Sequence, residues 1–287
     1  MGEGGWLTSS LGSVQFPSAD TGRDSRKHTA RANASRKCAQ AHTIALAWTP
    51  RTIPVVSSAG TGRSASERRE ALKALFLEAR DCLRCSELAA TRKTVVFGAG
   101  NADAELMFVG EAPGASEDEQ GLPFVGRAGK LLEQLLEEIG MARADVFIAN
   151  VLKCRPPGNR DPLPVEIGNC ESYLMSQVEL IQPSVICSLG NFATKLLRGD
   201  TTGITRLHGR AEVLVIGRRA VRLYPIYHPA AALYTPAMLA TLREDFSRVP
   251  ELLALGPPEQ PQPVEAPEAE GDESPALDAA ADQLGLF

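Results

Sequence analysis

Four cysteines carry the first chemical signal of this chain. Cys82 and Cys85 form a Cys-x-x-Cys pair, and Cys154 and Cys170 form a second pair with fifteen residues between them. Thiolates at this spacing, closed by a distant second pair, are typical of a metal centre. Zinc and iron–sulfur clusters both accept four thiolates, so the spacing leaves the metal open. Cys187 stands apart in an apolar run, which predicts an ordinary core thiol.

Two turns form a second group of residues suited to chemistry. A Gly-Glu-Ala-Pro-Gly turn at residues 110–114 and a His-Pro-Ala turn at residues 228–230 each follow a strand-like run. An α/β sheet presents its functional groups at the carboxyl ends of its strands. Glu111 in the first turn and His228 in the second are therefore candidate site residues.

Two further side chains suit the recognition of a base. Phe124 lies in a glycine-rich loop, where a flat aromatic wall could stack on a nucleobase. Asn150 ends a second strand-like run, and its amide both donates and accepts hydrogen bonds, which suits the edge of a pyrimidine. Taken alone, each also has a structural interpretation, as a core ring or as a turn cap.

Alternating strand and helix patterns must position these residues. Helical periodicity predicts helices over residues 67–82, 130–139, 165–181, 191–197 and 236–247, whereas apolar runs predict strands over 105–110, 146–150, 185–189, 211–216 and 221–227. The last two strands are expected to form a hairpin that turns at residues 217–218. Strands alternating with helices predict one three-layer α/β domain over residues 67–254.

The two ends of the chain differ from this domain in composition. Residues 1–66 are rich in Gly, Ser, Thr, Arg and Ala without periodicity, which predicts a disordered extension. Residues 255–287 are rich in Pro, Glu and Ala, which predicts a disordered acidic tail. No leader or membrane span is evident in the sequence, so we expect a soluble cytoplasmic protein.

The charge of the chain is unevenly distributed. The net charge of −5 includes nine acidic and no basic residues from position 251 onwards. The first 250 residues hold 30 basic and 26 acidic residues, so bulk charge does not indicate a nucleic-acid-binding protein. Any DNA site must therefore be a local patch.

Together these motifs resemble the family 4 uracil-DNA glycosylases, the iron–sulfur type of bacteria and archaea. The resemblance covers residues 71–253 and rests on the four cysteines and on five segments, residues 110–114, 121–129, 150–157, 159–160 and 227–230. It implies an α/β/α sandwich with a central, largely parallel sheet, and a 4Fe–4S cluster. It also implies a monomeric, nucleoid-associated enzyme that flips uracil out of DNA and hydrolyses its N-glycosidic bond, which initiates base excision repair.

The resemblance implies a substrate pocket of eight residues, namely Gly110, Glu111, Ala112, Ser116, Glu117, Phe124, Asn150 and His228. Phe124 would stack on the flipped uracil, Asn150 would read its edge and His228 would hydrogen-bond O2. Ser116 would offer a backbone contact. Glu117 would crowd C5 and so exclude the methyl group of thymine.

The resemblance also assigns residues to catalysis, to the cluster and to DNA contacts. Glu111 would orient the attacking water, and His228 would stabilise the negative charge that develops on uracil O2. The proposed cluster ligands Cys82, Cys85, Cys154 and Cys170 would staple the loop that carries two phosphate-binding arginines, Arg155 and Arg160. Leu233 would wedge into the duplex.

Three other functions are weighed as alternatives. A broader deaminated-base glycosylase of the same superfamily is disfavoured by the acidic Glu111. An iron–sulfur DNA-binding module without catalysis is disfavoured because Glu111 and His228 are both present. A sister glycosylase that forms a covalent product is disfavoured because only a short loop, residues 154–164, follows Asn150.

The tail ends in an apolar peptide that suggests a partner. Gln283, Leu284, Leu286 and Phe287 match the Gln-Leu-x-Leu-Phe pattern by which bacterial repair and replication proteins bind the sliding clamp. Its apolar side chains would fill a pocket, as short anchoring peptides do. We therefore expect the tail to bind the bacterial sliding clamp.

Overall fold

The structure is a computed structural model, and it describes residues 63–261. Its centre is one six-stranded sheet with the strand order β1-β3-β2-β4-β6-β5. The strands are β1 (Ala99–Gly100), β2 (Leu106–Gly110), β3 (Phe147–Asn150), β4 (Val185–Leu189), β5 (Glu212–Ile216) and β6 (Arg219–Ile226). The four central strands run parallel, whereas β1 and β5 pair antiparallel at the two edges.

Helices cover both faces of this sheet. In the described part of the chain they are α1 (Ala65–Arg80), α2 (Ser86–Thr91), α3 (Ala115–Gln120), α4 (Arg127–Glu138), α5 (Pro164–Ile181), α6 (Gly190–Arg198), α7 (Ile204–Leu207), α8 (Pro229–Ala232), α9 (Pro236–Ser247) and α10 (Val249–Ala254). Buried residues of α1, α5 and α6 form one core, and those of α4, α9 and α10 form the other.

Strand β2 shows how the sequence builds these layers. Met107 and Val109 lie in the core with α5, while Leu106 and Phe108 lie in the core with α4. Side chains alternate across a strand, so a strand covered on both faces must be apolar throughout. The predicted three-layer sandwich with a largely parallel sheet is confirmed.

The strand order creates a crevice at the end of β2. The chain passes from β2 to its neighbour β3, and then crosses back to β4 on the other side of β2. Open α/β sheets bind ligands where the strand order reverses in this way, outside the carboxyl ends of the strands. Gly110 ends β2 and therefore lies at this point.

Most predicted elements are found within a few residues of their expected bounds. The strand predicted over 185–189 has those bounds, and β5 and β6 form the predicted hairpin. Several short elements were missed, among them α3 and α8. Neither has the apolar periodicity that would predict a helix. Helix α3 is held by hydrogen bonds from the loop that follows it to Glu117, and α8 by its His228 cap.

Some expectations fall on other parts of the chain. The N-terminal extension and the clamp peptide with Gln283, Leu284, Leu286 and Phe287 lie outside the described residues. At the start of the predicted tail, the Gln260 side chain hydrogen-bonds both backbone groups of Ala220 in β6. Within residues 63–261, no helix is long and apolar enough to cross a membrane.

Helix α4 packs unusually close to the loop that carries Phe124. Gly129 lies in the first turn of α4, beside the backbone of Phe124. A Cβ built on Gly129 would lie 2.9 Å from the Cα of Phe124, and closer still to its carbonyl oxygen. Only glycine lets this helix approach the loop without displacing it.

This contact predicts opposite effects for two glycine-to-alanine changes in helices. Gly129→Ala should destabilise the protein by roughly 1–3 kcal/mol, because the new methyl group overlaps a backbone that cannot turn aside. Gly168→Ala in α5 is the control, because a Cβ there meets nothing within 4 Å. It should stabilise the protein by roughly 0.5–1 kcal/mol through helix propensity. Urea denaturation measures both, and equal effects would contradict the packing argument.

Candidate active site

Four strand ends bring the candidate residues to one edge of the sheet. Gly110 ends β2 and Asn150 ends β3. Gly190 follows β4, and His228 follows β6 after one intervening residue. Because these strands are parallel, their carboxyl ends share one edge, and the residues that follow them meet there.

Gly110 forms a wall that has no room for a side chain. A Cβ at this position would overlap the Oδ1 atom of Asn150 and would lie 2.8 Å from the Cε2 atom of Phe124. The bare backbone therefore lies between an amide and an aromatic ring. A planar ligand can rest on such a surface, with a polar group at its edge and a ring against its face.

Phe124 is held in a conformation that its residue type rarely adopts. Its φ is 52°, in the left-handed region, and its side chain is only 6% exposed. The Arg143 guanidinium donates to the Phe124 carbonyl at 3.0 Å and also to the Pro123 carbonyl. Strain of this kind persists only where the surroundings impose it. Arg143 is thus a positioning residue that sequence reasoning missed.

His228 lies beside Phe124 and carries its proton on a defined nitrogen. The ring centroids of the two residues are 5.5 Å apart. The backbone N–H of Ala230 donates to Nδ1 of His228 at 3.1 Å and so caps helix α8. A neutral imidazole that accepts at Nδ1 has its hydrogen on Nε2.

The charge state of His228 is also defined. Burial lowers its pKa to about 4, and the nearby negative charge of Glu117 offsets only part of that effect. The imidazole is therefore neutral around pH 7. In this state Nε2–H can donate a hydrogen bond to an acceptor in the crevice, without bringing a full positive charge there.

Glu111 is a half-buried carboxylate next to Gly110. Burial raises its pKa, and the negative charge of Asp161 raises it further. The backbone carbonyl of Glu111 accepts a hydrogen bond from the N–H of Leu152 at 3.0 Å, so this turn is anchored to the segment after β3. Ala112 lies in the same turn, partly buried against the core.

Glu117 has a structural task at the site. Its Oε1 atom accepts hydrogen bonds from the backbone N–H groups of Val125 at 3.0 Å and Gly126 at 2.9 Å. These groups lie at the start of α4, where an anion is favourable. Ser116 is exposed and lies close to Gly126. A Cβ built on Gly126 would lie 3.7 Å from the Ser116 hydroxyl. Both residues therefore border the loop that carries Phe124.

The four candidate metal ligands come together on the α1–α5 side of the sheet. None of them forms a disulfide. Burial raises the pKa of Cys154, and the neighbouring Cys82 and Cys85 also raise it. Burial raises the pKa of Cys170 to about 11, again with contributions from Cys154 and Cys85. Each thiol thus acts electrostatically on others of the set.

Hydrogen-bond donors surround these sulfurs. Arg92 Nη1 lies 3.2 Å from Sγ of Cys154, the Lys153 N–H lies 3.3 Å from that of Cys170, and Asn169 Nδ2 lies 3.5 Å from that of Cys85. Burial raises the pKa of Tyr173, and the neighbouring Cys82 raises it further. Within residues 63–261, no three His, Cys, Asp or Glu side chains converge on a single ion. Four thiols with hydrogen-bond donors around three of them have the chemistry that a thiolate metal centre requires.

A buried lysine links this region to the candidate active site. Lys153 is 1% exposed, and its Nζ donates to the Asn150 carbonyl at 2.8 Å and to Oε1 of Gln177 at 2.6 Å. Burial lowers the pKa of Lys153 to about 8. Sequence reasoning missed this role, because a lysine beside a cysteine motif carries no pattern that indicates burial.

The two arginines expected to bind phosphate have different surroundings. Arg160 donates to both carboxylate oxygens of Glu166, at 2.7 and 2.9 Å, and to Glu87 at 3.0 Å. Its charge is therefore engaged within the protein. Arg155 donates through Nε to Asn159 at 2.7 Å, which orients it on the loop. Arg155 thus remains the better phosphate candidate of the two.

The expected wedge residue also differs from its neighbour. Leu233 is partly buried and packs against the core formed by α4 and α9. The next residue, Tyr234, is 74% exposed. The side chain that projects from this turn is therefore a tyrosine.

Comparisons with known proteins identify relatives of this chain. A model of the uracil DNA glycosylase superfamily matches residues 97–250. The chain is 45% identical over 187 residues to the Type-4 uracil-DNA glycosylase of Archaeoglobus fulgidus, over 64% of this chain and 94% of that protein. It is 46% identical over 185 residues to that of Saccharolobus solfataricus, over 63% of this chain and 85% of that protein. For Thermotoga maritima the identity is 42% over 164 residues, 57% of this chain and 83% of that protein.

These matches confirm the resemblance that the sequence motifs indicated. The superfamily model covers more than half of the chain, and its limits enclose β2, β3, β4 and β6 with the crevice at their ends. The chain belongs to the uracil DNA glycosylase superfamily.

Proposed function

We propose that this protein is a uracil-DNA glycosylase that hydrolyses the N-glycosidic bond of uracil in DNA and so initiates base excision repair. One observation carries the proposal. The bare backbone of Gly110 lies between the Asn150 amide and the Phe124 ring, with His228 beside that ring. A flipped pyrimidine fits such a pocket, because it offers a face to stack and an edge to read.

The pocket supplies recognition through shape and hydrogen bonds. Phe124 stacks on the base, and the Asn150 amide donates and accepts at its pyrimidine edge. Lys153 fixes the Asn150 backbone, and Arg143 fixes the Phe124 backbone. Both reading groups are therefore held before the base arrives, which reduces the cost of ordering them on binding.

His228 stabilises the leaving group. Cleavage of the glycosidic bond leaves negative charge on uracil, and a donor aimed at O2 lowers the barrier as that charge develops. Nε2–H of His228 is available for this, because Ala230 occupies Nδ1 and burial keeps the ring neutral. His228 acts as a hydrogen-bond donor, and no proton transfer from it is required.

Glu111 orients the water that attacks the sugar carbon C1′. The departing base leaves an oxocarbenium-like sugar, and a carboxylate favours both this positive charge and a correctly directed water. The ionised form of Glu111 is the active one. Because the pKa of Glu111 is raised, this form is lost at a higher pH than in an exposed glutamate.

The cysteines complete the proposal as ligands of a 4Fe–4S cluster. Cys82, Cys85, Cys154 and Cys170 would supply four thiolates, and the donors around them suit thiolate charge. When bound, the cluster would supply a rigid crosslink between the α1–α2 segment, the segment after β3, and α5. Sliding-clamp binding through the tail stays a prediction from the sequence.

The first test concerns His228. His228→Ser should lower the single-turnover rate of uracil release from a U·G duplex by roughly 10²–10³-fold, because one donor to the leaving group is lost. Serine is a good N-cap, so helix α8 should remain capped and the unfolding free energy nearly unchanged. A variant that keeps full activity would contradict the role of His228.

The second test concerns the pH dependence set by Glu111. The ratio kcat/KM should fall in acid as Glu111 is protonated, while His228 stays neutral down to about pH 4. Asp161→Asn removes a negative charge that raises the pKa of Glu111, so the acid limb should move to lower pH. The shift should shrink at high salt, since Asp161 is exposed. A shift towards higher pH would contradict this assignment.

The third test concerns the metal. Anaerobically purified protein should contain iron and inorganic sulfide and absorb broadly near about 400 nm. Cys154→Ala should lose iron and lower the unfolding temperature. Cys187→Ala is the matched control, because Cys187 is buried in the other core, and this variant should keep its iron. Stoichiometric zinc in place of iron would overturn the cluster assignment.

A further inference from the structure

Three arginines lie at the edge of the sheet opposite the candidate site. Arg219 begins β6, whereas His228 follows the end of that strand, so roughly 23 Å of strand separates the two positions. Arg68 and Arg69, near the start of α1, donate to Asp103 at 2.9 and 2.8 Å. Arg68, Arg69 and Arg219, here named the arginine cluster, thus have one carboxylate among them.

The arginine cluster carries more positive charge than its surroundings neutralise. Burial lowers the pKa of Arg219, and the positive charge of nearby Arg68 lowers it further. Within residues 63–261, no carboxylate pairs with Arg219. The Nε atoms of Arg68 and Arg219 are both buried, and neither has a hydrogen-bond partner in the same part of the chain. Buried donors are normally paired, because an unpaired one has lost its bonds to water. The cluster therefore lacks negative charge and acceptors.

The last described residues of the chain lie beside this cluster. The Gln260 side chain donates to the Ala220 carbonyl at 3.0 Å and accepts from the Ala220 N–H at 3.2 Å. Ala220 directly follows Arg219 in β6. Two hydrogen bonds thus hold the chain against the strand that carries Arg219, and the segment after Pro261 starts next to the arginine cluster.

The segment that follows has the charge that the cluster lacks. Residues 262–273 include no basic side chain and five acidic ones, namely Glu265, Glu268, Glu270, Asp272 and Glu273. The chain from Gln260 to Glu265 spans at most about 18 Å when fully extended, so its carboxylates are available only near this edge or along the tail. A short tether gives an effective concentration of about a millimolar, at which ion pairs that are weak individually still form.

We propose that residues 265–273 bind back onto the arginine cluster, with carboxylates of this segment paired to Arg219 and Arg68. The cluster lies at the edge opposite the candidate site, so the bound segment leaves that site open. Binding there also holds negative charge away from the edge at which the proposed function places DNA, itself a polyanion. Docking of the tail does not require the proposed function, and it can be tested without an activity assay.

The experiment uses the full chain with Arg219→Lys, which keeps the positive charge and supplies an amine. A carbodiimide joins an amine to a carboxylate that contacts it, and mass spectrometry of the digested protein identifies the joined peptides. The introduced amine should couple to residues 265–273. Arg218→Lys is the matched control, because Arg218 pairs with Glu179 at 3.0 Å and its replacement should couple there instead. Coupling to the tail should be at least about 5-fold greater in Arg219→Lys, as expected for a pair held in contact. It should fall at about 1 M salt, where charges are screened over about 3 Å.

A second measurement follows the exposure of the tail itself. Cleavage by a glutamate-specific protease after Glu265 and Glu268 should be roughly 2- to 10-fold faster in Arg219→Gln than in the wild type, the range for one or two lost ion pairs. Arg218→Gln should match the wild type. Tail coupling that is equal in the two lysine variants, or cleavage that is unchanged in Arg219→Gln, would overturn the proposal. Coupling is also run on a mixture of isotopically labelled and unlabelled protein, where products of mixed mass would mean that the cluster binds the tail of a second copy, which would overturn docking within one chain.

Discussion

Buried Lys153 joins the candidate site to the cysteine region, through its ammonium on one side and its backbone N–H on the other. A lysine removed from water must satisfy its donors inside the protein, because an uncompensated buried charge is strongly destabilising. Two of them reach the Asn150 carbonyl and the Gln177 side chain. Gln177 in turn donates to the Phe97 carbonyl at 2.9 Å, and the Lys153 N–H contacts Cys170. Strand β3, helix α5 and the segment before β1 are thus linked through the side chains of Lys153 and Gln177.

Two site residues also bind backbone N–H groups where a helix begins, His228 as the N-cap of α8 and Glu117 just before α4, which joins chemistry to stability. His228 accepts at the start of α8, and Glu117 accepts at the start of α4. A cap contributes of the order of 1 kcal/mol, and it also fixes the direction in which the chain enters the helix. For Glu117 this means that the Phe124 loop depends on the same carboxylate that the family resemblance assigns to the exclusion of thymine. A change of base specificity at this position therefore carries a structural cost.

The architecture was predictable from the sequence because the central strands are apolar runs and the helices that cover them have a periodic apolar face. The apolar run at residues 185–189 predicted both ends of strand β4. The turns at residues 110–114 and 228–230 predicted the edge of the sheet where the candidate site lies. Contacts between distant residues were not predictable in this way. Nothing in the spacing indicates that Arg160 forms an ion pair with Glu166, or that Arg143 hydrogen-bonds the Phe124 backbone. Nor does it indicate that Tyr234 faces solvent while Leu233 packs into the core. These depend on how loops fold over the sheet, which periodicity does not encode.

The order of the strands along the chain bears on how the protein is made. All four proposed cluster ligands precede β4, whereas His228 follows β6, the last strand to be synthesised. A chain that leaves the ribosome from its N-terminus therefore presents the whole ligand set before the strands that complete the uracil pocket exist. Insertion of the proposed cluster and assembly of the candidate site are therefore separable in time. A nascent chain ending before β6 would hold its thiols ready for metal while being unable to cut a glycosidic bond.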